Sequence, residues 1–358
     1  MKDNWLKRIE ETNSILHDNI VSMDILLDGD AISHVGIRER EIIVYGCRAK
    51  IGSIGGVATK EEYRNRGLAT RLMESSIRRI DEDEGDVMFI SGGRGLYRRL
   101  GCVDAGEVRE FVIRRSESAS LKEQNLELSP YKENDIAKLV MAYQKEPVRF
   151  HRSLENFKFN LQRHPVPLWI VPDVLLMKKD GEFLGYLVIQ ESKKKDGLKP
   201  GHGYISEYAG NRRAVVSAIP ELFERYDFND LTIWAPRHDT ELISILSERK
   251  IKSQRRNLRG HTFKFTNFPR LMKRFRPYIE ERVGTQIADS LEFKQVGDNF
   301  SIKLDDEKFS TDGVSAVLIV FCSCDGREQE LMPRRGKMAE VFTAMFPLPF
   351  IWPGLDSF

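Results

Sequence analysis

Short apolar, β-branched runs at Ala31–Ile37 and Glu41–Tyr45 are set between polar positions and read as strands. A turn at Gly46 leads into a third strand, Cys47–Val57. Gly52, Gly55 and Gly56 inside it weaken the strand or mark close backbone approach. The pattern then lengthens. Leu68, Leu72, Ile77 and Ile80 recur at helical spacing, predicting a helix over Tyr63–Ile80 that the acidic run Asp81–Asp86 ends. Asp86–Ile90 reads as a buried strand, Leu96–Leu100 as a short helix and Val108–Ile113 as a further strand. Residues 1–19 read as a helix. This order predicts a mixed α/β layer.

After a polar linker, Arg114–Asn125, a similar order returns. Helices are expected at Glu133–Gln144, Ser153–Gln162, Arg212–Tyr226 and Asp239–Arg249. Strands are expected at Val174–Lys178, Phe183–Gln190, Tyr204–Tyr208 and Leu231–Trp234. A third pattern begins at Phe263. It holds an amphipathic helix over Phe268–Glu281, strands at Leu291–Lys294, Asn299–Leu304 and Ser315–Cys324, and a helix over Arg335–Phe346. The proline-rich end, Phe346–Gly354, cannot be regular helix. The expected domains are 1–118, 119–262 and 263–358.

Length agrees, since 358 residues exceed one ordinary core. Lys+Arg 56 against Asp+Glu 54 leaves a net charge of +2, which gives no case for bulk nucleic-acid binding. No apolar run approaches the roughly 18 residues of a membrane span. Four scattered cysteines make no disulfide framework, and Cys322 and Cys324 would share one face of a buried strand. A cytoplasmic location is the expectation. Seven histidines show no metal spacing, so no metal is expected. His34 alternates with Ile32 and reads as a plain strand position, with an outlook onto a substrate cleft as the alternative.

The most chemically informative stretch is Val57-Ala58-Thr59-Lys60-Glu61-Glu62-Tyr63-Arg64-Asn65-Arg66-Gly67-Leu68-Ala69. A strand runs into a basic, glycine-containing turn that opens a helix. Backbone N–H groups at a helix start lack intrahelical partners and lie at the positive end of the dipole, and Arg64 and Arg66 add charge beside them. No Gly-Lys-Ser/Thr and no G-x-G-x-x-G pattern accompanies the turn, so the two common nucleotide loops do not apply.

Arg64-x-x-Gly67-x-Ala69, entered from Val57-Ala58-Thr59, resembles the acyl-CoA pyrophosphate loop of GNAT-type N-acetyltransferases. Three unequal units with a proline-rich aromatic tail resemble the multidomain Eis-like (enhanced intracellular survival) members. The resemblance implies an α/β fold of two tandem GNAT-like domains followed by a sterol-carrier-like α+β domain. It implies acetyl-CoA as co-substrate, held by Val57, Ala58, Thr59, Arg64, Asn65, Arg66, Gly67, Leu68, Ala69 and Thr70. Leu96-Tyr97-Arg98-Arg99-Leu100-Gly101 matches the family's general-acid stretch, which places the acid at Tyr97. The family's base, the chain's own terminal carboxylate, falls on Phe358, with Asp356 a rival carboxylate. A homo-oligomer, with the hexamer among its forms, is implied as well. The loop of the second unit, Tyr208–Ala214, lacks the Arg-x-x-Gly-x-Ala pattern and is expected not to bind the coenzyme.

Acetyl transfer requires a positioned thioester, a polarised carbonyl, a neutral amine and a protonated leaving thiolate. The expected activity is transfer from acetyl-CoA to a primary amine by direct attack in a ternary complex. The acceptor would be an aminoglycoside or polyamine-like small molecule, or a lysine side chain. The alternative is a non-catalytic acyl-CoA-binding or regulatory protein.

Overall fold

The computed structural model describes residues 9–17, 20–162, 172–192, 201–258 and 261–356. Two compact units form, one from Met1–Gly106 with Asn257–Leu348, the other from Glu107–Arg256 with Pro349–Ser357. These boundaries differ from 118/119 and 262/263, for a reason the strand order makes plain.

Unit 1 starts with β1 (Ile9–His17), β2 (Ile20–Leu27), β3 (Asp30–Val44) and β4 (Cys47–Thr59), each antiparallel to the next. Positive φ at both Asp28 and Gly29, and at both Tyr45 and Gly46, makes the tight turns whose twist suits a hairpin. Helix α1 (Leu68–Glu82) crosses to β5 (Val87–Ser91), which runs parallel to β4, and α2 (Gly95–Arg99) and β6 (Val103–Asp104) follow. The face that α1 covers holds Ile25, Val35, Ile37, Ile54, Leu72, Met73, Ile80 and Ile90. A Cβ on Gly52 would lie 2.5 Å from Ile80 Cδ1, so this glycine marks the close approach of α1 to β4.

The chain next builds unit 2 from β7 (Glu107–Arg114), α3 (Arg115–Ser118), β8 (Glu127–Pro130), α4 (Ile136–Gln144), β9 (Val148–Phe150), α5 (Leu154–Gln162), β10 (Asp173–Lys179), β11 (Glu182–Ser192), β12 (His202–Gly210), α6 (Arg212–Arg225), β13 (Asp230–Pro236), α7 (Thr240–Glu248) and β14 (Ser253–Asn257). It returns to unit 1 through β15 (His261–Phe265), α8 (Phe268–Arg274), α9 (Arg276–Val283) and α10 (Thr285–Ser290). A meander of β16 (Leu291–Val296), β17 (Asn299–Leu304) and β18 (Glu307–Asp312) precedes α11 (Gly313–Phe321), α12 (Glu328–Leu331) and α13 (Gly336–Met345).

The unit 1 sheet has the order β1-β2-β3-β4-β5-β15-β6, and the unit 2 sheet the order β14-β7-β13-β12-β11-β10-β8. The strand that follows β6 in sequence therefore joins the second sheet, and the strand that follows β14 joins the first. That exchange moves Val108–Ile113 out of the first unit and His261–Phe265 into it.

Three expectations are corrected. Residues 9–17 of the expected N-terminal helix are a strand, paired with β2 from Ile9↔Leu27 to His17↔Ile20. Its Thr12, Asn13 and Ser14 are poor helix formers, and Glu11 ties it to α1 through Ser75 Oγ at 3.1 Å and through Arg71. The expected strand Ser315–Cys324 is the buried helix α11 with Cys322 at its end, φ 58°, so Cys322 and Cys324 share no strand face. An unbroken apolar run does not distinguish a buried strand from a buried helix. The distinguishing signal is Asp312, whose Oδ1 accepts from Ser315 N at 3.0 Å as a helix cap. The expected helix Phe268–Glu281 breaks at Phe275 into α8 and α9, each with a proline in its first turn.

Asp86, 0% exposed, anchors the start of β5. It accepts from Lys50 N at 3.0 Å, Arg270 Nε at 3.0 Å and Arg274 Nη1 at 2.6 Å. Nearby, burial first, and then the hydrogen bond and charge of Asp83, push the Glu39 carboxyl up to about 7 against the pull of Arg79 and Lys50. A raised folded-state value means the protonated form favours folding, so this contribution is present below the unfolded value and is lost as pH rises toward 7. Glu39→Gln should raise stability at pH 8 by about 1 kcal/mol and leave it nearly unchanged at pH 4. Denaturant unfolding at both pH values checks this; an equal gain at both would sink it.

Candidate active site

The site lies where two parallel strands part. The β4–β5 pairing runs Ile51↔Val87, Gly52↔Met88, Ser53↔Phe89 and Ile54↔Ile90, and ends there. Strand β5 ends at Ser91, while β4 continues to Thr59. The backbone of Gly55–Thr59 thus faces a widening gap on its β5 side rather than a ladder. A bulge sharpens the divergence. Between the pairs Gly36↔Gly55 and His34↔Ala58, one residue of β3 opposes two of β4. Gly56 sits in that bulge at φ 64°, a conformation that suits glycine.

The expected binding loop follows directly. Lys60 N donates to Ile32 O at 2.9 Å, and Ser33 Oγ lies 2.9 Å from Thr59 Oγ1, fixing the end of β4. A short 3-10 turn, Glu61–Tyr63, delays the helix, which begins at Leu68 rather than Tyr63. Asn65 (φ 61°) and Gly67 (φ 78°) turn the chain through left-handed conformations. No side chain caps α1 at Gly67, so the first N–H groups of the helix carry their partial positive charge outward. Arg64 and Arg66 are exposed beside them. Arg64 Nε donates to Thr59 O at 3.3 Å, and Arg66 Nη2 donates to Glu62 O at 2.9 Å with its guanidinium 5.3 Å from the centre of the Tyr63 ring. Ala69 and Thr70 are half-buried, and Leu68 packs into the core, so its side chain faces away from the loop.

Tyr97 lies in α2, a few residues beyond the end of β5. Arg94 precedes that helix and donates from Nη1 to Val57 O at 3.4 Å, joining α2 to the splayed part of β4. The Tyr97 ring is 3% exposed, and a Cβ on Gly92 would meet its Cε2 at 3.3 Å. Burial raises the phenol above its ordinary value, the charge of Arg94 works against that, and Cys102 adds to it. The phenol therefore stays protonated at neutral pH.

Phe358 lies outside the described residues. Asp356 is not a free carboxylate. It is 3% exposed and accepts from Arg152 Nε at 2.6 Å and Asn160 Nδ2 at 3.0 Å within unit 2.

A group to which the sequence assigned no definite role stands next to the bulge. Asp24 and His34 are direct cross-strand partners on β2 and β3. His34 Nδ1 lies 2.9 Å from Asp24 Oδ1 and 3.2 Å from Ser22 Oγ. A Cβ on Gly56 would sit 3.3 Å from His34 Nε2. The two-residue spacing of Ser22 and Asp24 was a visible signal that both share a strand face; the register against His34 was not.

Unit 2 contains the same parting of strands, closed. Parallel pairing of β12 with β13 runs from His202↔Asp230 to Ile205↔Ile233, and β12 continues to Gly210. Here Asn211 Oδ1 caps α6 by accepting from Ala214 N at 2.9 Å. Arg212 is taken up by Glu146 and Asp239. The tail of the chain fills the gap. Trp352 Nε1 donates to Ser206 O at 2.7 Å, its ring stacks on Trp234 at 4.9 Å, and Leu355 N donates to Glu207 Oε2 at 2.9 Å.

Among the described residues no group of three metal-ligating side chains gathers, and no helix is long and apolar enough to cross a membrane.

Residues 2–103 match the family model of the acetyltransferase (GNAT) domain, and the open site lies within that stretch. The match ends within β6, before the strand that joins unit 2. Solved structures similar to the chain include a GCN5-related N-acetyltransferase from Anabaena variabilis, at 14% identity over 93% of this chain and 88% of that one, TM-score 0.63. A GCN5-related N-acetyltransferase from Kribbella flavida aligns at 12% identity over 95% and 87%, TM-score 0.61. Eis1 from Mycobacterium abscessus aligns at 12% identity over 91% and 86%, TM-score 0.57. At these identities the likeness is one of fold. No curated protein sequence matches the chain.

Proposed function

We propose that the N-terminal domain is an acetyl-CoA-dependent N-acetyltransferase that acts on a primary amine by direct attack in a ternary complex. The observation that carries this is the splayed β4–β5 pair leading into an uncapped, arginine-flanked helix start. The residues fit acetyl-CoA in kind. The edge of β4 at Val57, Ala58 and Thr59, beyond the β4–β5 pairing, suits an amide-bearing pantetheine arm that would pair like a short strand. The N–H groups over Gly67–Thr70, with Arg64, Asn65 and Arg66, suit its pyrophosphate. A β4 N–H near the bulge would polarise the thioester carbonyl, and Tyr97 would return a proton to the departing sulfur. The expected acceptor is an aminoglycoside, a polyamine-like molecule or a lysine side chain. A sterol-carrier-like fold in the part of the chain after residue 263 and a homo-oligomer belong to the same reading; analytical ultracentrifugation checks the last.

Isothermal titration with acetyl-CoA tests the core of it, and a wild type without binding heat would sink it. Replacing Arg64 or Arg66 by Ala should weaken acetyl-CoA binding about tenfold each, with smaller losses at higher salt, because each removes an exposed charge from a phosphate-facing loop. Undiminished affinity in the double variant would place the pyrophosphate elsewhere. Thiol release over aminoglycosides, polyamines and lysine peptides then identifies the acceptor.

A further inference from the structure

An amine is protonated at neutral pH and must lose a proton before it can attack, so an acetyltransferase site needs a base within reach of the thioester. Three features place such a group on β3. Asp24 Oδ1 lies 2.9 Å from His34 Nδ1, which puts the proton of the neutral ring on Nδ1 and leaves the lone pair on Nε2. Nε2 faces the bulge at Gly56, where a Cβ would come within 3.3 Å of it. That bulge opens the segment Gly55–Thr59, which has parted from β5. The His34 side chain is 35% exposed and Asp24 16%, so the base reaches solvent while the carboxylate behind it is sheltered. Ser22 Oγ donates to Asp24 Oδ2 and holds the carboxylate in place.

We propose that His34, oriented by Asp24, is the general base of the acetyl transfer; this rests on the acetyltransferase reading of the domain. His34 Nε2 takes one proton from the acceptor's ammonium and passes it to solvent, and Asp24 stabilises the imidazolium in between. The neutral nitrogen attacks the thioester carbonyl carbon. The C–N bond forms, the C–S bond breaks, and the electron pair of the broken bond leaves on sulfur. Tyr97 protonates that sulfur, and the second proton shed by the nitrogen as the amide forms restores the phenol. The net products are the acetamide, the free thiol and one proton. Gly56 belongs to the same device: a side chain there would cover Nε2 and would meet a φ of 64° unfavourable to it.

The test uses the full chain with acetyl-CoA, and with spermidine, kanamycin and a lysine peptide as acceptors. His34→Gln should lower kcat about 100-fold or more while the acetyl-CoA Kd moves less than about twofold. Asp24→Asn should lower kcat about tenfold or more with the same unchanged Kd. Added imidazole should restore part of the His34→Gln loss. If the wild type turns over and His34→Gln matches it, the base assignment falls and the acetyltransferase reading stands. If the wild type binds no acetyl-CoA, both fall. A readout without any acceptor is the 15N spectrum of the ring. A proton on Nδ1 that redistributes to Nε2 in Asp24→Asn supports the assignment; a wild-type ring protonated on Nε2 at pH 8 overturns it.

Discussion

Replacing Arg152 by Ala should destabilise unit 2 by about 3–5 kcal/mol, because it leaves two buried carboxylates without their shared cation. The Arg152 side chain is 1% exposed. It donates from Nη1 and Nη2 to Glu207 at 2.8 and 2.6 Å, and from Nε to Asp356 at 2.6 Å. Its guanidinium lies 3.9 Å from the ring centre of Tyr143 and 4.9 Å from that of Phe157. Tyr186 donates to Glu207 at 2.7 Å and Asn160 to Asp356 at 3.0 Å, so every partner is already committed to this arrangement. Asp356→Asn should cost only about 1–2 kcal/mol, since the bidentate Arg152–Glu207 pair survives it. Urea unfolding followed through the Trp234–Trp352 stack measures both variants. A loss below about 1 kcal/mol for Arg152→Ala would show that the cation contributes little beyond what it costs to bury.

That network bears on why the two units differ. Both sheets contain a parallel pair that parts after four residue pairs. In unit 1 the parted strand leads to an uncapped helix, and in unit 2 to a helix capped by Asn211 and a gap filled by Trp352 and Leu355. The carboxylates Glu207 and Asp356 hold that filling through Arg152. Among the described residues, the second parting of strands is thus closed by what occupies it, and it also lacks the loop pattern.

Legibility in the sequence followed the range of the forces involved. The loop at 57–70 was readable because strand, turn and helix start are local, and its glycine and arginines lie within a few residues. The hairpin at Gly46 was readable for the same reason. The exchange of β7 and β15 was not, since nothing in Val108–Ile113 or His261–Phe265 names the sheet each will join. Residues 9–17 took their conformation from pairing with β2, against a pattern that could also be helical. The Asp24–His34 pair depended on cross-strand register, which two-residue periodicity leaves free to slide.

Tyr97→Phe should lower kcat about 100-fold or more and leave the acetyl-CoA Kd within about twofold of wild type. The substitution removes one hydroxyl and keeps the ring that packs with Leu72, Met73 and Ile90 in the core and lies against Gly92, so the fold should persist. The affinity should persist because the loop that would hold the pyrophosphate, around Arg64–Thr70, is a separate piece of backbone from α2. What should change is the fate of the leaving thiolate. An alkyl thiolate expelled into a partly desolvated gap is strongly basic, and burial that raises the phenol raises the thiol as well, so the transfer between them stays near balance. Without the hydroxyl, water must bring the proton, and the tetrahedral adduct returns to reactants more often than it proceeds. The deficit should therefore narrow when the acetyl group is supplied on a more acidic thiol, which leaves without help. A deficit of the same size for both thiols, or equal losses in kcat and affinity, would assign Tyr97 to packing alone.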